Sequence, residues 1–448
     1  MPCLPADCLI EIFENLNDEE LRSCLLVNHQ WCETSVRILW RKIQSLNTLI
    51  TCLPNESKVI LENNGIIISN STSRPLFFNY VTFIKTLSDL DISNTVERLL
   101  KYTRNVNGNN RNVATREVFQ MFMKQTSLKE LSISSSIIHE QSLPFTYSLN
   151  LSNLSDFYCS SDLYPEFSIS NGLADLISVQ RRLKYLHLDY SEICNYNWTN
   201  IIQLFIKCTN TLTKVHIVGE CEHCPLPLSF ISKFYNLQEL SLSIYKSKGL
   251  EVFQHASLSQ LQVLRFVCEQ PVNDHLISFL ENNGKNLTEL GLCDYNDYDG
   301  PLNLAIAKFC PNIKCLRTTF YEKNGENIES LKLVLFSCEQ LESIEILCED
   351  FLEKRALLKI FVEFSPKILC EIKMVLEGYQ DPDPYIKYTF ICWGNREQSI
   401  PLSLIILSHS EREDETRVMH IEIIKKLEEF KNLSIIKEFK IIEERGGR

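Results

Sequence analysis

Glycine is scarce in this chain, with 13 glycines among 448 residues. None of them falls in the order G-x-G-x-x-G or G-x-x-x-x-G-K, the spacings that bring backbone N–H groups close to phosphates. No Gly-x-Ser-x-Gly segment occurs either, so the turn that exposes a nucleophilic serine in α/β-hydrolases is missing. The sequence therefore contains no motif of a nucleotide-dependent enzyme or of a serine hydrolase.

Basic residues are few relative to acidic ones. The chain has 45 lysines and arginines against 57 aspartates and glutamates, a net charge of −12 and an isoelectric point near 5.4. Binding to a polyanion needs cations that displace its counterions. The balance argues against nucleic acid or a membrane surface as the main partner, and we expect neither.

Long apolar runs are also missing. No stretch reaches the roughly 18 apolar residues that a membrane-spanning helix needs, and no basic segment followed by an apolar core opens the chain as in a secretory signal. The 18 cysteines are scattered, and many lie inside apolar runs, as Cys159 and Cys370 do. We therefore expect reduced thiols and a location inside the cell, in the cytoplasm, the nucleus or both.

What the chain does contain is a large apolar content for its length. Hydrophobic residues make up 44% and charged residues 23% of the sequence, which is typical of a folded protein. A chain of 448 residues exceeds one ordinary hydrophobic core. Two or more domains or a repeat array are therefore predicted.

Residues 4–40 predict two or three short helices with more apolar surface than they can bury among themselves. Leu4-Pro5 before Asp7 predicts a helix start, because proline at an early helical position loses no hydrogen bond. The apolar residues that follow recur mainly at helical spacing: Leu9, Ile12, Phe13, Leu16, Leu21, Leu25, Leu26, Val27, Trp31, Val36, Leu39 and Trp40. So short a module usually needs a disulfide, a metal ion or a binding partner to be stable.

In order and spacing these residues resemble the F-box. The elements that carry the resemblance are Leu4-Pro5, Asp7, Ile12-Phe13, Leu16, Cys24 to Trp31 and Trp40, within residues 2–43. The resemblance implies a three-helix module that docks on a Skp-family adaptor and through it on a cullin. The alternative is an ordinary helical hairpin that caps a larger domain.

The same resemblance implies which residues bind the adaptor. They are Leu4, Pro5, Leu9, Ile12, Phe13, Leu16, Leu21, Leu25, Val27 and Trp31. Trp40 is assigned instead to the side that packs on the helices predicted over residues 43–61. The residues Cys8, Asn28 to Glu33 and Ile38 to Arg41 further resemble F-box proteins expanded in arbuscular mycorrhizal fungi.

From residue 128 onward the chain repeats a unit of an apolar residue, two variable residues, leucine or another apolar residue, one variable residue and an apolar residue. The units begin 24 to 29 residues apart, at Leu128, Leu154, Leu183, Leu212, Leu237, Leu261, Leu287, Ile313, Leu341 and Leu369. That period resembles leucine-rich repeats. Helix-spaced apolar residues lie between the units, so each repeat is predicted to be a strand followed by a helix.

The predicted fold class is therefore α/β: an N-terminal three-helix F-box followed by a curved leucine-rich-repeat solenoid. Cys208, Cys310 and Cys338 precede the next strand by three or four residues. We predict them to be small buried residues at helix ends, which resembles the Cys-type repeats of F-box proteins. The alternative is another strand–helix protein, such as a doubly wound sheet.

Four regions are predicted. They are an F-box over residues 1–43, a helical linker over 44–79, the repeat array over 80–376, and a C-terminal cap and tail over 377–448. Within them, Tyr80–Ile84 is predicted as the first strand and Asn105–Asn112 as a loop. In the cap, Tyr388–Trp393 and Leu402–Leu407 are predicted strands, and Glu415–Phe430 is a predicted helix.

Few residues suggest bond chemistry, and we predict no catalytic residue, no metal and no cofactor. Cys221 and Cys224 have the spacing of half a zinc site, but no second pair follows at a suitable distance. His187 and His216 occupy equivalent positions of successive strands, which is more typical of a polar surface than of a catalytic pair. No cysteine is marked as activated by a neighbouring base, although spacing alone leaves a ligase cysteine open.

The residues that alternate with the buried ones point outward from the predicted strands. Those predicted to bind a protein substrate are Tyr185, His187, Asp189, Lys214, His216, Glu239, Arg265, Glu289, Arg317 and Glu345. For any one of them a merely solvated position is equally compatible with the sequence. The predicted function is the substrate-recognition subunit of an SCF-type ubiquitin ligase. The alternatives are a repeat scaffold that binds an adaptor without ubiquitin transfer, and an enzyme or nucleic-acid binder.

Overall fold

The computed structural model forms two compact units, Met1–Thr213 and Lys214–Arg448. The residues that the structure describes are 4–68, 76–104, 106–124, 128–133, 153–160, 177–190, 205–219, 228–244, 250–268, 273–294, 300–319, 326–348, 351–377, 391–396, 400–409 and 435–443.

The first unit begins with three short helices. They are α1 (Ala6–Phe13), α2 (Asp18–Cys24) and α3 (His29–Leu39). Asn17 caps α2: its Oδ1 accepts from the Glu20 backbone N–H at 3.0 Å, and the Glu20 carboxylate accepts from the Asn17 N–H at 2.9 Å. Their shared core contains Leu9, Phe13, Leu21, Val36 and Leu39. The prediction of an N-terminal three-helix module is confirmed.

Two further helices, α4 (Leu46–Thr51) and α5 (Asn55–Asn63), follow where helices were predicted over residues 43–61, with a break at Pro54. The strand predicted over 80–84 is wrong, because Tyr80–Phe83 is a 3-10 helix and β1 is Thr86–Ser88. The physical reason is the spacing of the buried residues. Val81 and Ile84 are three apart, as one face of a 3-10 turn requires, and do not alternate as in a strand.

The rest of the first unit is built from parallel strands and helices. The elements are β1, α6 (Asp89–Leu100), α7 (Gly108–Met123), β2 (Glu130–Ile133), β3 (Asp156–Ser160), β4 (Tyr185–Tyr190) and a 3-10 helix at Ile206–Cys208. The loop predicted over 105–112 is wrong from Gly108 onward. Asn107 caps α7 by accepting from the Asn110 N–H at 2.9 Å, so the asparagines start a helix.

The second unit repeats the same construction. Its strands are β5 (Lys214–Gly219), β6 (Glu239–Ile244), β7 (Val263–Cys268), β8 (Glu289–Asp294), β9 (Cys315–Thr319), β10 (Ser343–Cys348), β11 (Glu371–Glu377), β12 (Leu402–His409) and β13 (Ile436–Glu443). Its α-helices are α8 (Leu250–Phe253), α9 (Asn273–Asn283), α10 (Gly300–Phe309), α11 (Glu326–Ser337) and α12 (Phe351–Phe364), with 3-10 helices at Leu228–Lys233 and Gly284–Asn286.

The predicted strand leucines define the register in both units. In the first unit Leu131 lies beside Phe157, and Phe157 beside Leu186. In the second unit the same buried position passes along neighbouring parallel strands: Val215, Leu240, Leu264, Leu290, Leu316, Ile344, Ile372 and Leu404. The α/β repeat architecture predicted from the spacing is confirmed.

At several helix ends a cysteine or asparagine side chain bonds to the preceding repeat. Cys208, Cys310 and Cys338 are buried, as predicted. The Cys338 thiol donates to the Cys310 carbonyl at 3.4 Å. Asn283 makes the corresponding connection with an amide, because its Oδ1 accepts from the Leu258 N–H at 2.7 Å. Each such bond gives a hydrogen-bond partner to a backbone carbonyl or N–H group in the turn before the next strand.

The C-terminal strands continue the parallel pairing past residue 376. Residues 391–394 are helical, so the strand predicted up to Trp393 is wrong there. Trp393 is buried and its indole N–H donates to the Ile400 carbonyl at 3.1 Å, which holds the helix against the start of β12. The strand β13 was not predicted from the sequence. The helix predicted over Glu415–Phe430 lies outside the described residues.

Candidate functional site

Large apolar side chains are exposed on the first three helices. Leu26 is 89% exposed and Val27 is 56% exposed in the turn between α2 and α3, and Leu4, Pro5 and Ile12 are exposed on and before α1. We call these five residues the apolar surface. The Gln30 side-chain amide donates to the Leu4 carbonyl at 2.9 Å, so the segment before α1 is held close to α3.

The structure divides the residues predicted to bind an adaptor into three groups. Leu4, Pro5, Ile12 and Val27 are exposed; Leu16, Leu25 and Trp31 are half-buried; Leu9, Phe13 and Leu21 are buried. Trp31 packs edge-to-face on Phe13, with ring centroids 5.1 Å apart. The buried residues therefore position the exposed ones.

Leu26 is an exposed residue that the site prediction left out. The run from Cys24 to Val27 is continuously apolar, and a single helix face has no room for four consecutive residues. That excess was the available signal for a side chain that faces outward.

The end of α3 joins the module to the strands of the first unit. Trp40 is buried, and its ring lies 4.4 Å from the ring of Tyr80, a residue outside the helices predicted over residues 43–61. The Arg41 carbonyl accepts from the N–H groups of Lys85 at 2.9 Å and Thr86 at 3.2 Å. The Lys85 carbonyl accepts in the same way from the two residues that open the next repeat strand, β2. The helical module is therefore connected as if it were the repeat before β1.

Residues 1–44 match the family model described as F-box-like. This chain carries an F-box-like domain. Among solved structures, the chain is similar to the crystal structure of the Rad7 and Elc1 complex in yeast, with 12% sequence identity and a TM-score of 0.37 over 92% of this chain and 96% of that chain. No curated protein matches the chain by sequence. The apolar surface lies within the F-box-like domain.

The outward positions of β2, β3 and β4 carry carboxylates and aromatic rings. We call Glu130, Asp156, Tyr158, Tyr185, His187 and Asp189 the acidic–aromatic face. The Tyr158 ring lies 5.2 Å from the Tyr185 ring and 5.8 Å from the His187 ring, between centroids. Burial, and then the charges of Glu130 and Asp156, raise the pKa of Tyr158 to about 12, while burial lowers the pKa of His187.

Tyr158 was not among the predicted substrate-binding residues. It pairs with His187 across β3 and β4 and shares the outward position of that residue in the repeat. The repeat spacing was therefore sufficient to find it.

The outward positions of the second unit carry charges that pair with one another. We call Lys214, Glu239, Arg265, Glu289, Arg317 and Glu345 the ion-pair face. Its nitrogen–oxygen distances are 2.9 Å for Lys214–Glu239, 2.5 Å for Arg265–Glu239, 2.7 Å for Arg265–Glu289 and 2.9 Å for Arg317–Glu345. Burial alone would raise the pKa of Glu239, but hydrogen bonds from Lys214 and Arg265 lower it below its ordinary value. His216 lies half-buried on β5.

Several buried thiols have environments that keep them protonated. Burial raises the pKa of Cys159, Cys310 and Cys338 to about 12 and that of Cys208 to about 11, so these thiols stay protonated at neutral pH. The pKa of Cys315 is also raised, first by partial burial of the thiol and then by the charge of Glu289.

No group of His, Cys, Asp and Glu among the described residues is arranged to hold a metal ion, and the pair Cys221 and Cys224 lies outside those residues. None of the helices that the structure describes combines the length and apolarity that crossing a bilayer would require.

Proposed function

We propose that this chain is the substrate-recognition subunit of an SCF-type ubiquitin ligase. In this proposal the F-box-like domain docks on a Skp-family adaptor, which connects it to a cullin, and the outward faces of the repeat strands bind a target protein. The observation that carries the proposal is the apolar surface of the F-box-like domain. Exposed apolar patches on folded proteins are typical of interaction sites.

The contribution of the chain to ubiquitin transfer would be proximity. Holding a target beside the conjugating enzyme converts an encounter between two molecules into a reaction within one complex. The chain itself would form and break no bonds, which agrees with the raised pKa values of the buried Cys159, Cys310 and Cys338 thiols. Such a subunit acts inside the cell, in the cytoplasm or the nucleus.

The connection at Arg41 supports a mechanical role for the F-box-like domain. The Arg41 carbonyl accepts from Lys85 and Thr86 in the same pattern that joins one repeat to the next. Adaptor binding would therefore place the first strands in a defined orientation. A flexible linker would leave the position of a bound target undefined relative to the conjugating enzyme.

The first test is co-elution of the purified full chain with a Skp-family adaptor. We expect a stable complex, and we expect Leu4→Ala/Ile12→Ala to weaken it about thirtyfold or more, since truncating central apolar contacts commonly costs about 2 kcal/mol or more. The control is Val59→Ala/Ile67→Ala, which shortens two exposed apolar residues outside the F-box-like domain. No adaptor complex, or equal loss in both double variants, would contradict the proposal.

The same purified complexes distinguish a ligase subunit from a scaffold protein. A ligase subunit is expected to bring a cullin with the adaptor and to increase ubiquitin transfer to the proteins it captures. A scaffold would bind the adaptor and leave ubiquitin transfer unchanged.

A further inference from the structure

The strands of the acidic–aromatic face contain no lysine or arginine. Their sequences are Glu-Leu-Ser-Ile in β2, Asp-Phe-Tyr-Cys-Ser in β3 and Tyr-Leu-His-Leu-Asp-Tyr in β4. The leucine, isoleucine, phenylalanine and cysteine side chains at the repeat positions point into the core. What remains on the outward side is carboxylates, hydroxyls and aromatic rings.

The strand register places these groups in rows. Glu130, Asp156 and Tyr185 lie side by side in the first row, and Tyr158 and His187 lie side by side in the second. Ser160 and Asp189 form the third row. Because residues two apart on one strand are separated by about 7 Å, a group bound over Tyr158 would lie about that distance from Asp156 on the same strand.

The three rings are close enough to act together. Tyr158 and Tyr185 meet edge-to-face, and the Tyr185 and His187 centroids are 6.5 Å apart. The faces of the two tyrosine rings carry partial negative charge and attract a cation within about 6 Å. Burial lowers the pKa of His187, so at neutral pH this ring is uncharged and does not repel a cation.

The ion-pair face has fewer charged side chains available to bind a partner. There, Glu239 already binds Lys214 and Arg265, and Arg317 binds Glu345. A charged partner would have to replace those pairs. On the acidic–aromatic face, by contrast, Glu130 accepts from the Thr86 hydroxyl at 3.3 Å and Asp156 from the Ser155 hydroxyl, and neither carboxylate forms an ion pair with a described residue.

We propose that the acidic–aromatic face binds lysine or arginine side chains of a segment of the target protein. This inference rests on the proposed function, since it names the chemistry of the target that the repeats would recognise. Carboxylates around the rings would attract the cation, and the rings would contact its aliphatic stem and charged end.

The test uses the full chain and short fluorescent glycine–serine peptides that carry lysines, arginines, glutamates or no charged residue. Fluorescence anisotropy measures the affinity of each peptide at low and at physiological salt. We expect the lysine and arginine peptides to bind and the other two to bind at least about tenfold more weakly. Equal binding of basic and acidic peptides would overturn the inference.

Charge variants separate a local site from the general attraction of an acidic protein. Glu130→Gln/Asp156→Asn is expected to weaken binding of the lysine peptide about tenfold. Glu251→Gln/Glu281→Gln removes the same charge from exposed helical positions and is expected to change it less than about twofold. If both pairs weaken binding equally, the site does not exist.

Ring variants test the aromatic part. Tyr158→Leu is expected to weaken peptide binding about threefold to tenfold, whereas Tyr158→Phe keeps the ring and the affinity. An unchanged affinity in Tyr158→Leu would refute the role of the rings. The Phe variant also controls for folding.

Adaptor co-elution, measured on the same variants, distinguishes this inference from the proposed function. If the adaptor binds and the basic peptides do not, the inference fails while the proposed function stands. If basic peptides bind the face and the chain forms no adaptor complex, the proposed function fails, and basic recognition remains as a property of the strands.

Discussion

The strand faces of the two units carry different chemistry on strands that are built alike. The acidic–aromatic face presents carboxylates beside rings, whereas the ion-pair face presents carboxylates beside lysine and arginine. The buried positions beneath them follow one register of leucine-like residues. The repeat spacing therefore determines the framework, and the outward positions vary independently of it.

This difference has an energetic consequence for binding. Exposed ion pairs contribute only about 0–1 kcal/mol to stability, but a partner that competes with them has to match the bonds it displaces. Carboxylates beside aromatic rings present no such competition from basic residues of their own strands. The first unit is thus the better candidate for recognition of a charged target.

The largest expected effect tests whether the two frameworks are equivalent. Phe157 and Phe266 are buried on β3 and β7, and each has another phenylalanine ring with its centroid 6.3 Å away. Phe157→Ala and Phe266→Ala should each lower the free energy of unfolding of the unit concerned by about 3–5 kcal/mol. Urea denaturation followed by circular dichroism measures the loss.

The matched controls for those variants are Ser132→Ala and Ser241→Ala, which change outward positions of β2 and β6. They are expected to alter stability by about 0.5 kcal/mol or less. A large loss in only one of the two phenylalanine variants would break the equivalence of the frameworks.

A smaller effect is expected where an amide connects successive repeats. Asn283 accepts from the Leu258 N–H and donates to the Ala256 carbonyl at 2.8 Å. Asn283→Ala would leave both groups buried without that partner, so a loss of about 1–3 kcal/mol is expected in urea denaturation of the second unit.

The control for this prediction is Asn286→Ala. Asn286 is exposed and donates only to the Ser259 carbonyl at 3.1 Å among its recorded side-chain bonds. Water can replace that bond, so the variant should lose about 0.5 kcal/mol or less. Equal losses in the two variants would show that burial does not govern the strength of the connection.

The smallest expected effect concerns the contribution of the ion-pair face to the pH dependence of the free energy of unfolding. The pKa of Glu239 is lowered from its ordinary value of 4.5 in the folded chain. A carboxyl with a lowered folded pKa adds stability that is present above the unfolded pKa and is lost as the pH falls through the folded pKa. Glu239→Gln should remove this part of the pH dependence, which is about 1 kcal/mol or less because the partners Lys214 and Arg265 are solvent-exposed.

Urea midpoints between neutral pH and the acidic range below 4.5 would measure it. Glu281→Gln, at an exposed helical position, is the control and should keep the wild-type profile. If Glu239→Gln also keeps that profile, the pairing with Lys214 and Arg265 does not stabilise the face.

The sequence was sufficient for the elements whose apolar residues recur at a constant interval. The strands at Leu131, Leu186 and Leu240 were predictable because each repeat must bury its leucine against the preceding one. The strand β13, which follows a longer interval, was not predicted. Ile436, Phe439 and Ile441 in β13 have the spacing of a repeat strand, but Ile436 pairs with Leu402, 34 residues earlier, beyond the usual step.

Two local features could not be predicted from the sequence for other reasons. The asparagines around Asn107 are compatible with both a turn and a helix cap, and only the helix that follows decides between them. For the F-box-like domain, the motif identified the residues but not which side of the module each occupies. Phe13 and Ile12 are neighbours in the chain, yet one is buried and the other exposed.

The amino-acid sequence by itself determined the F-box-like domain and the repeat framework, because both depend on the order and spacing of apolar residues along the chain. Tertiary structure alone decided which outward residues meet. Glu239 and Arg265 are 26 residues apart in sequence and form an ion pair, and Tyr158 contacts residues of the next repeat. Side chains so distant in the chain become neighbours only when parallel strands pair, and their chemistry as a surface arises at that step.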